Sequence, residues 1–254
     1  MKATFPLLAI ILVISFSSCQ KEISGEILPG TTPDTTISYR VKTYTEDITS
    51  SALGNSVTTY DLSYDAQNRV TSLVSEKNAG DKFVYTYPSA NVVTMEIFGN
   101  GSLTIHENFF LNSYSLVDSS LQYDENFDTS TEKYIYNSSK QLIAYNEYTY
   151  STATGATLDN VSTYTYDSDG NVLTQKEYNV ERSYEYYADL KASVIVGPAI
   201  FYQAKNLVKK TTYTSGGETT TADHTYTFDS KNLLISEKAV LSTGDIVIRK
   251  YTYE

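Results

Sequence analysis

The strongest constraint on the fold is a ten-residue unit at Tyr164–Leu173, which has the sequence YTYDSDGNVL. Tyr164 and Tyr166 are two residues apart, so they point to the same side of an extended chain. Asp167 can bond to nearby backbone groups, and Gly170 accepts a positive φ without steric cost. Because an aliphatic run follows, the unit predicts a strand, a tight turn and a second strand.

Weaker copies of this unit recur along the chain. Each has an apolar anchor residue, a polar turn and an aliphatic run, and most anchors are about 20 to 30 residues apart. The anchors are Tyr64, Tyr87, Leu111, Tyr136, Tyr166, Tyr186, Tyr202, Phe228 and Tyr253. That spacing fits two strands and two turns, so it indicates a repeat architecture.

The repeats predict an all-β fold, an antiparallel up-and-down meander of hairpins. A single flat sheet would leave two unpaired edges, so we expect a large twisted sheet or a closed, or nearly closed, barrel. One irregular insert is expected near residues 187–202. There Val194–Phe201 is apolar without alternation, and Pro198 argues against a central strand. The insert is predicted to be a short helix or a plug-like loop packed inside the sheet.

Tyrosine is abundant in this chain, with 24 Tyr, 9 Phe and no Trp. Its apolar ring and polar tip suit a wet interior, so we expect one Tyr-rich face and one Thr/Ser/charged face. The segment Thr58–Tyr64 alternates in this way. Since it shows no lipid-compatible outer band, a soluble barrel is predicted rather than a membrane barrel.

Two resemblances follow from these units. Tyr164–Leu173 and Tyr64–Val70 resemble the YD repeats of Rhs-type shell proteins. Tyr184 and Tyr186, followed by Lys205–Lys210 (KNLVKK), resemble a family of Bacteroidetes lipoproteins of unknown function. The second resemblance implies a porin-like β fold and a place in the cell envelope, but no agreed activity.

The N-terminus has the pattern of a lipoprotein signal. Residues 1–18 contain the apolar run Leu7–Ile14, which is too short to span a bilayer stably. Phe16–Cys19 resembles a bacterial lipobox, and Cys19 is the chain's only cysteine. Acylation of Cys19 is therefore predicted, with outer-membrane lipid as the partner. The alternative is an ordinary secretory signal that ends at a cysteine by chance.

The residues after Cys19 predict where the lipoprotein is sorted and where the folded domain begins. Gln20, Lys21 and Glu22 resemble the short signal that sends some Bacteroidetes lipoproteins to the outer face of the outer membrane. A periplasm-facing placement remains the alternative. Residues 19–36 are rich in Pro, Gly and Thr and are interpreted as a flexible tether. Residues 37–254 are expected to form a single β domain of YD-like repeats.

Charge and histidine content narrow the function classes. The chain has 19 Lys and Arg against 30 Asp and Glu, a net charge of −11, which disfavours nucleic-acid binding. His106 and His224 have no metal-ligand spacing and are interpreted as structural. No cofactor, metal site or catalytic residue is predicted.

Repeated aspartates and tyrosines each admit two interpretations. Turn roles are expected for Asp65, Asp167, Asp169 and Asp229, because they recur at the turns. A calcium loop at 167–171 is the alternative. Six tyrosines are candidates for stacking against a sugar or another flat ligand, and cross-strand packing is the alternative. They are Tyr134, Tyr136, Tyr164, Tyr166, Tyr184 and Tyr186.

The leading functional hypothesis is a non-enzymatic, lipid-anchored envelope protein. It would be a surface binding module, with a glycan or an envelope protein as partner, or a scaffold. One alternative is a hollow barrel that carries an apolar or peptide cargo. A second alternative is a hydrolase that depends on converging carboxylates.

Overall fold

The described residues close into one β-barrel. The computed structural model describes residues 39–254, except for 53, 125–128, 152–154, 193, 195 and 201–203. Within them the chain forms sixteen antiparallel strands and no helix. Each strand pairs with its neighbours in sequence, and β1 pairs with β16. The predicted all-β meander is confirmed, and of the two forms expected the barrel is the one adopted.

The strands are β1 Val41–Ser50, β2 Gly54–Tyr64, β3 Val70–Ser75, β4 Lys82–Ser89, β5 Val92–Gly99, β6 Ser102–Leu111, β7 Val117–Asp124, β8 Thr129–Tyr136, β9 Leu142–Ser151, β10 Gly155–Tyr166, β11 Val172–Glu177, β12 Val180–Lys191, β13 Asn206–Ser215, β14 Glu218–Phe228, β15 Leu234–Leu241 and β16 Ile246–Tyr253. No described segment forms a helix with the length and hydropathy that a membrane crossing requires. The predicted signal peptide, the tether, Cys19 and Gln20–Glu22 lie outside the described residues.

Side chains alternate between the lumen and the outer surface. On β2, Tyr60, Leu62 and Tyr64 pack into the interior, while Asp61 and Ser63 are exposed. The outer surface carries cross-strand threonine pairs, such as Thr43 with Thr252 and Thr165 with Thr174, each with 2.7 Å between hydroxyl oxygens. It also carries charged groups at mid-strand, including Lys238 and the Glu96–His106 pair. This polarity fits the predicted Thr/Ser/charged face and is unlike the apolar band of a lipid-embedded barrel.

Five turns that begin at Asp or Asn share one geometry and join an even-numbered strand to the next odd-numbered one. They span residues 65–69, 112–116, 137–141, 167–171 and 229–233. In the first, the Asp65 carboxylate accepts hydrogen bonds from the backbone N–H groups of Gln67 and Arg69, each at 2.9 Å. The fourth residue has a positive φ, 61° at Asn68 and 90° at Gly170. This conformation explains why the best copy of the repeat has glycine there.

The repeated aspartates therefore have the turn role that the sequence predicts. The carboxylates of Asp65, Asp167 and Asp229 each accept from the backbone at the turn. At Asp167, partial burial opposes ionisation, but hydrogen bonds from Asn171 and other turn groups outweigh it and hold the pKa below its ordinary value. Asp169 also lies in this turn and is exposed.

In several repeats a tyrosine hydroxyl donates a hydrogen bond to the preceding repeat. The acceptor is the backbone carbonyl at or near the start of the preceding odd-numbered strand, at 2.6 to 2.9 Å. The pairs are Tyr64 with Val41, Tyr87 with Val70, Tyr136 with Val117, Tyr166 with Leu142, Tyr186 with Val172, Tyr226 with Val208 and Tyr253 with Leu234. We call these residues the corner tyrosines. Their hydroxyls satisfy carbonyls at the end of the barrel that carries the five turns, the turn end.

The irregular insert closes the turn end from inside. Residues 192–205, here called the plug, replace the β12–β13 turn. The plug's Val194 joins a core cluster with Val41 and Leu73, and Ile200 packs in a second cluster with Phe109. The Ile200 carbonyl accepts from the Val117 N–H at 2.9 Å. Of the two predicted forms, the plug-like loop is therefore the one the described residues show.

The insert lies slightly later in the chain than the predicted position near residues 187–202. Tyr187–Lys191 continue β12, because that strand still pairs with β13 as far as Lys191 and Asn206. On the far side the plug extends to Lys205. The Asn171 side-chain oxygen accepts from the N–H groups of Lys205 and Asn206, both at 2.9 Å. The predicted anchor Tyr202 lies outside the described residues.

Removing one corner hydroxyl tests its contribution to stability. We expect Tyr87→Phe to lower the unfolding free energy by about 1 to 2 kcal/mol, because the Val70 carbonyl loses its 2.8 Å donor. The melting temperature should fall by roughly 2 to 8 °C for a chain of this size. Tyr150→Phe is the matched control, since Tyr150 is an exposed tyrosine on the outer surface. Equal melting temperatures for wild type and Tyr87→Phe would contradict a stabilising role.

Candidate functional site

The lumen contains a cavity of about 440 Å³ above the plug. Its wall is formed by strands β8 to β16, and the plug residues Val194 and Ala204 lie at its base, with Leu207 of β13 beside them. The remaining lining consists mainly of tyrosine rings and uncharged or acidic polar side chains. A volume of this size is typical of small-molecule sites, which combine apolar walls with a few polar groups.

Four of the six predicted ligand-contact tyrosines line this cavity: Tyr134, Tyr164, Tyr184 and Tyr186. Tyr136 and Tyr166 are corner tyrosines that do not line it, and their hydroxyls bind backbone carbonyls. A ligand-contact role for the other four stays a prediction.

Three further tyrosines line the cavity although the sequence did not single them out as contact residues: Tyr145, Tyr226 and Tyr251. The Tyr145 ring packs edge-on against Tyr134, with 5.3 Å between ring centroids. Their positions in strands of alternating polarity were visible in the sequence. However, only the barrel shows that β9 and β14 border the same space.

A group of polar side chains lies along β9 to β12. Glu147, Asn160 and Glu177 line the cavity. The Asn160 amide nitrogen donates to Glu177 Oε1 at 2.5 Å and also bonds to Glu147. Glu177 Oε2 lies 3.6 Å from Arg182 Nη1, and Arg182 is only 7 % exposed. Burial and the nearby Glu132 and Asp159 carboxylates raise the pKa of Glu147 above its ordinary value.

A buried carboxyl pair lies on the neighbouring strands β6 and β8. Glu132 accepts hydrogen bonds from Ser120, Tyr134 and Tyr145, at 2.5 to 2.8 Å. Glu107, 5 % exposed, bonds to the same carboxylate. Burial and the Glu132 charge raise the pKa of Glu107 to about 8. At neutral pH Glu107 therefore holds a proton, which allows the two carboxyl groups to share a hydrogen bond.

A chain of charged groups crosses the closure between β1 and β16. Arg249 Nε lies 3.3 Å from Glu46 Oε2, and its Nη1 lies 3.2 Å from Glu237 Oε2. The other Glu237 oxygen lies 2.9 Å from His224 Nδ1. Burial would raise the pKa of Glu237, but the His224 and Arg249 contacts outweigh it and hold that pKa below its ordinary value. Each buried charge thus has a partner, as burial requires.

The order Thr211, His224, Glu237 resembles a nucleophile–base–acid triad. His224 Nε2 lies 3.1 Å from Thr211 Oγ1, and all three residues line the cavity. However, Glu237 is shared with Arg249, and Thr211 is buried in a strand that pairs on both sides. Backbone N–H groups engaged in two ladders are not available to stabilise an oxyanion. The arrangement therefore favours a structural network over nucleophilic catalysis.

Two converging carboxylates also fail to form a glycosidase pair. Glu147 and Glu177 are bound to one amide group, that of Asn160, which occupies the space between them. In a glycosidase that space holds the scissile bond. His106 lies apart from His224, on the outer surface, where its Nδ1 is 3.3 Å from Glu96. No group of three potential metal ligands occurs among the described residues.

The carboxyl pair should make stability depend on pH. The unfolded chain releases the Glu107 proton near the ordinary glutamate pKa, about 4.3, whereas the folded chain holds it to about pH 8. Between these values the folded state binds more protons, so the unfolding free energy falls as pH rises. We expect Glu107→Gln to remove this loss, which is on the order of a few kcal/mol.

Thermal melting at a series of pH values measures this effect. The stability of Glu107→Gln relative to wild type should rise from pH 5 to pH 8.5, with Glu181→Gln, an exposed surface change, as control. A constant difference across that range would show that the Glu107 proton is not linked to folding.

The fold has a counterpart among solved structures. A porin-like protein from Bacteroides uniformis is similar over 84 % of this chain and 98 % of its own, with a TM-score of 0.60 and 15 % sequence identity. No protein-family model and no curated protein matches the sequence. At this identity the likeness establishes the fold alone, so the described residues form a porin-like β-barrel.

Proposed function

We propose that this protein is a non-enzymatic, lipid-anchored binding protein of the cell envelope, with its ligand held in the lumen. The observation that carries the proposal is the cavity of about 440 Å³, walled by tyrosine rings and bounded by the plug. The binding surface is thus internal, which combines the binding module and the hollow carrier that the sequence suggested. A pure scaffold has no need for an internal cavity of this size.

The envelope location is supported by the sequence and the fold together. The chain shares its fold with a porin-like Bacteroides protein. Its N-terminal residues resemble those of an outer-membrane lipoprotein, with Cys19 as acylation site and Gln20–Glu22 as an outer-face signal. The five turns of one geometry support the proposed kinship with YD-repeat and Bacteroidetes lipoprotein sequences.

The barrel's ends give the anchored protein an orientation. Arg40 bonds to Glu254 through backbone and side chain, so both ends of the described chain lie at the turn end. A tether that runs from Cys19 to residue 36 would therefore attach beside the plug. In this arrangement the plug faces the lipid and the opposite end of the barrel faces away from it.

Hydrolase function is the weaker alternative. The converging carboxylates of this structure are either hydrogen-bonded to each other, as in Glu107 and Glu132, or bound to one amide. Both arrangements use the carboxylates for internal contacts. Binding without turnover accounts for the site with fewer assumptions.

Filling the cavity tests the internal site. Ser162 lines it and is 2 % exposed, whereas the next residue, Thr163, points outward. With the neutral fluorophore N-phenyl-1-naphthylamine as probe, we expect wild type and Thr163→Leu to bind and Ser162→Leu to bind at least tenfold more weakly. Melting curves confirm that both variants are folded, and Gln175→Phe, which projects into the same cavity, provides a second filled variant. Equal probe binding by all four proteins would contradict an internal site.

Replacing Cys19 tests the anchor. Because acylation needs the thiol, Cys19→Ser should lose incorporation of an alkyne-labelled fatty acid and move from the membrane fraction to the soluble envelope fraction. Ser18→Ala, which keeps a small residue before the cysteine, is the matched control. Labelling that persists in Cys19→Ser would contradict the proposal.

A further inference from the structure

The lining of the cavity changes from apolar to acidic with distance from the plug. The plug supplies Val194 and Ala204 to the base of the cavity. On β9, β11 and β15 the first lining residue is apolar, and an acidic one follows three to five residues later. The pairs are Leu142 with Glu147, Val172 with Glu177 and Leu234 with Glu237. Because these three strands run away from the turn end, each carboxylate lies farther from the plug than its apolar partner.

Tyrosine rings lie between the apolar and the acidic layers. Tyr145 comes between Leu142 and Glu147 on β9, and Tyr164 and Tyr184 line the cavity from the strands on either side of β11. A strand rises about 3.3 Å per residue, so the two layers are roughly 10 to 17 Å apart along the strands. A ligand that spans them would have an apolar end at the plug and a polar end beside the carboxylates.

One of the lining carboxylates has no positive partner. Glu177 and Glu237 are each ion-paired with a buried arginine. Among the described residues no cation lies within ion-pair distance of Glu147, whose hydrogen bond comes from the neutral amide of Asn160. No Lys or Arg occurs among the described residues that line the cavity. The acidic layer therefore has more negative than positive charge.

The charges nearest to Glu147 are other carboxylates. Burial and the charges of Glu132, Asp159 and Glu177 raise the pKa of Glu147 above its ordinary value. A cation beside Glu147 would relieve this repulsion, whereas an anion would add to it and a neutral ligand would leave it unchanged. Glu147 is half-buried and the Glu177 side chain is 30 % exposed, so a ligand in the cavity can reach both.

The tyrosine layer suits a cation with an apolar chain. The face of an aromatic ring attracts a cation, and the Tyr145 ring lies next to Glu147 on the inner side of β9. The same rings provide apolar surface for the part of the ligand that continues towards the plug. An ammonium group also donates hydrogen bonds, which the carboxylates accept.

We propose that the lumen binds an amphiphilic organic cation, an apolar body that carries an ammonium group. The ammonium group lies beside Glu147 and Glu177, and the apolar body lies against the tyrosine rings and the plug. The proposal rests on the proposed function of the lumen as a binding site, and it adds the charge and the orientation of the ligand.

Probes that share one alkyl chain and differ in the head group test the proposal. Octylamine, octanol and octanoate are titrated against bound N-phenyl-1-naphthylamine, below the concentrations at which they form micelles. We expect octylamine to displace the fluorophore with an affinity about tenfold higher than that of octanol, because it adds a charge-assisted contact, and octanoate to be the weakest. Methylamine, which has the head group without the chain, should not displace it. Equal affinities for octylamine and octanol would overturn the cationic class.

Variants connect the binding to the two carboxylates. Glu147→Gln and Glu177→Gln should each weaken octylamine binding by about three- to tenfold and leave octanol binding unchanged. Glu181→Gln is the matched control, because it removes the same charge from an exposed side chain that pairs with Lys176. Glu147→Gln leaves the ion pair of Arg182 intact, so it tests the proposal if Glu177→Gln does not fold. Unchanged octylamine binding by the folded variants would overturn the assignment.

The experiment separates failure of this inference from failure of the proposed function. If neither the fluorophore nor any octyl probe binds the wild-type protein, the internal binding site and this inference fail together. If the fluorophore binds and octanol or octanoate displaces it as well as octylamine does, the internal site stands and the cationic class is wrong. This comparison needs only the wild-type protein, so it does not depend on the folding of any variant.

Discussion

The lumen of a sixteen-stranded barrel is wider than its own side chains can easily fill. Eight strands already leave an interior that side chains just occupy, and the diameter grows with strand number. This chain fills much of the space with tyrosine, whose ring is long and whose hydroxyl can find a partner. Because corner tyrosines bind backbone carbonyls at the turn end, the residues that fill the lumen also hold consecutive repeats together.

Several charged side chains in the lumen are ion-paired, and one carboxyl group is neutralised by a bound proton. Arg249 is matched by Glu46 and Glu237, and Glu107 avoids an unpaired buried charge by holding a proton beside Glu132. Such networks cost desolvation and are retained only when they are nearly complete. Among the residues that the structure describes, the buried side-chain atoms without a hydrogen-bond partner are Asn160 Oδ1 and Arg182 Nη1, and the second of these is still ion-paired with Glu177.

The cavity lies where the repeat of hairpins is interrupted by the plug. Regular turns close the even-to-odd connections, but the β12–β13 connection is replaced by the plug, which packs apolar side chains inside the turn end. The plug and the tyrosines fill one part of the lumen and leave the cavity along β8 to β16. A barrel built from related units thereby has one region that differs from the rest, and the proposed binding site lies there.

Much of the fold could be predicted from local pattern. The spacing of Tyr164 and Tyr166, the turn residues from Asp167 to Asn171 and the recurrence of the unit were sufficient for an antiparallel meander, since hairpins depend on neighbours in sequence. The insert begins a few residues later than the expected position because Lys191 still pairs with Asn206 of β13 after a register shift, a long-range contact that local pattern does not reveal.

The sequence by itself determined the strand-and-turn repeat, the alternation that sends tyrosine to one face, and the turn role of the aspartates. Only the tertiary structure decided that the sheet closes, that the plug lies inside it, and that Asn160, Glu177 and Arg182 meet. The physical reason is the distance along the chain over which each interaction acts. Turn chemistry acts over a few residues, whereas closure and the cavity depend on side chains from distant strands that share one interior.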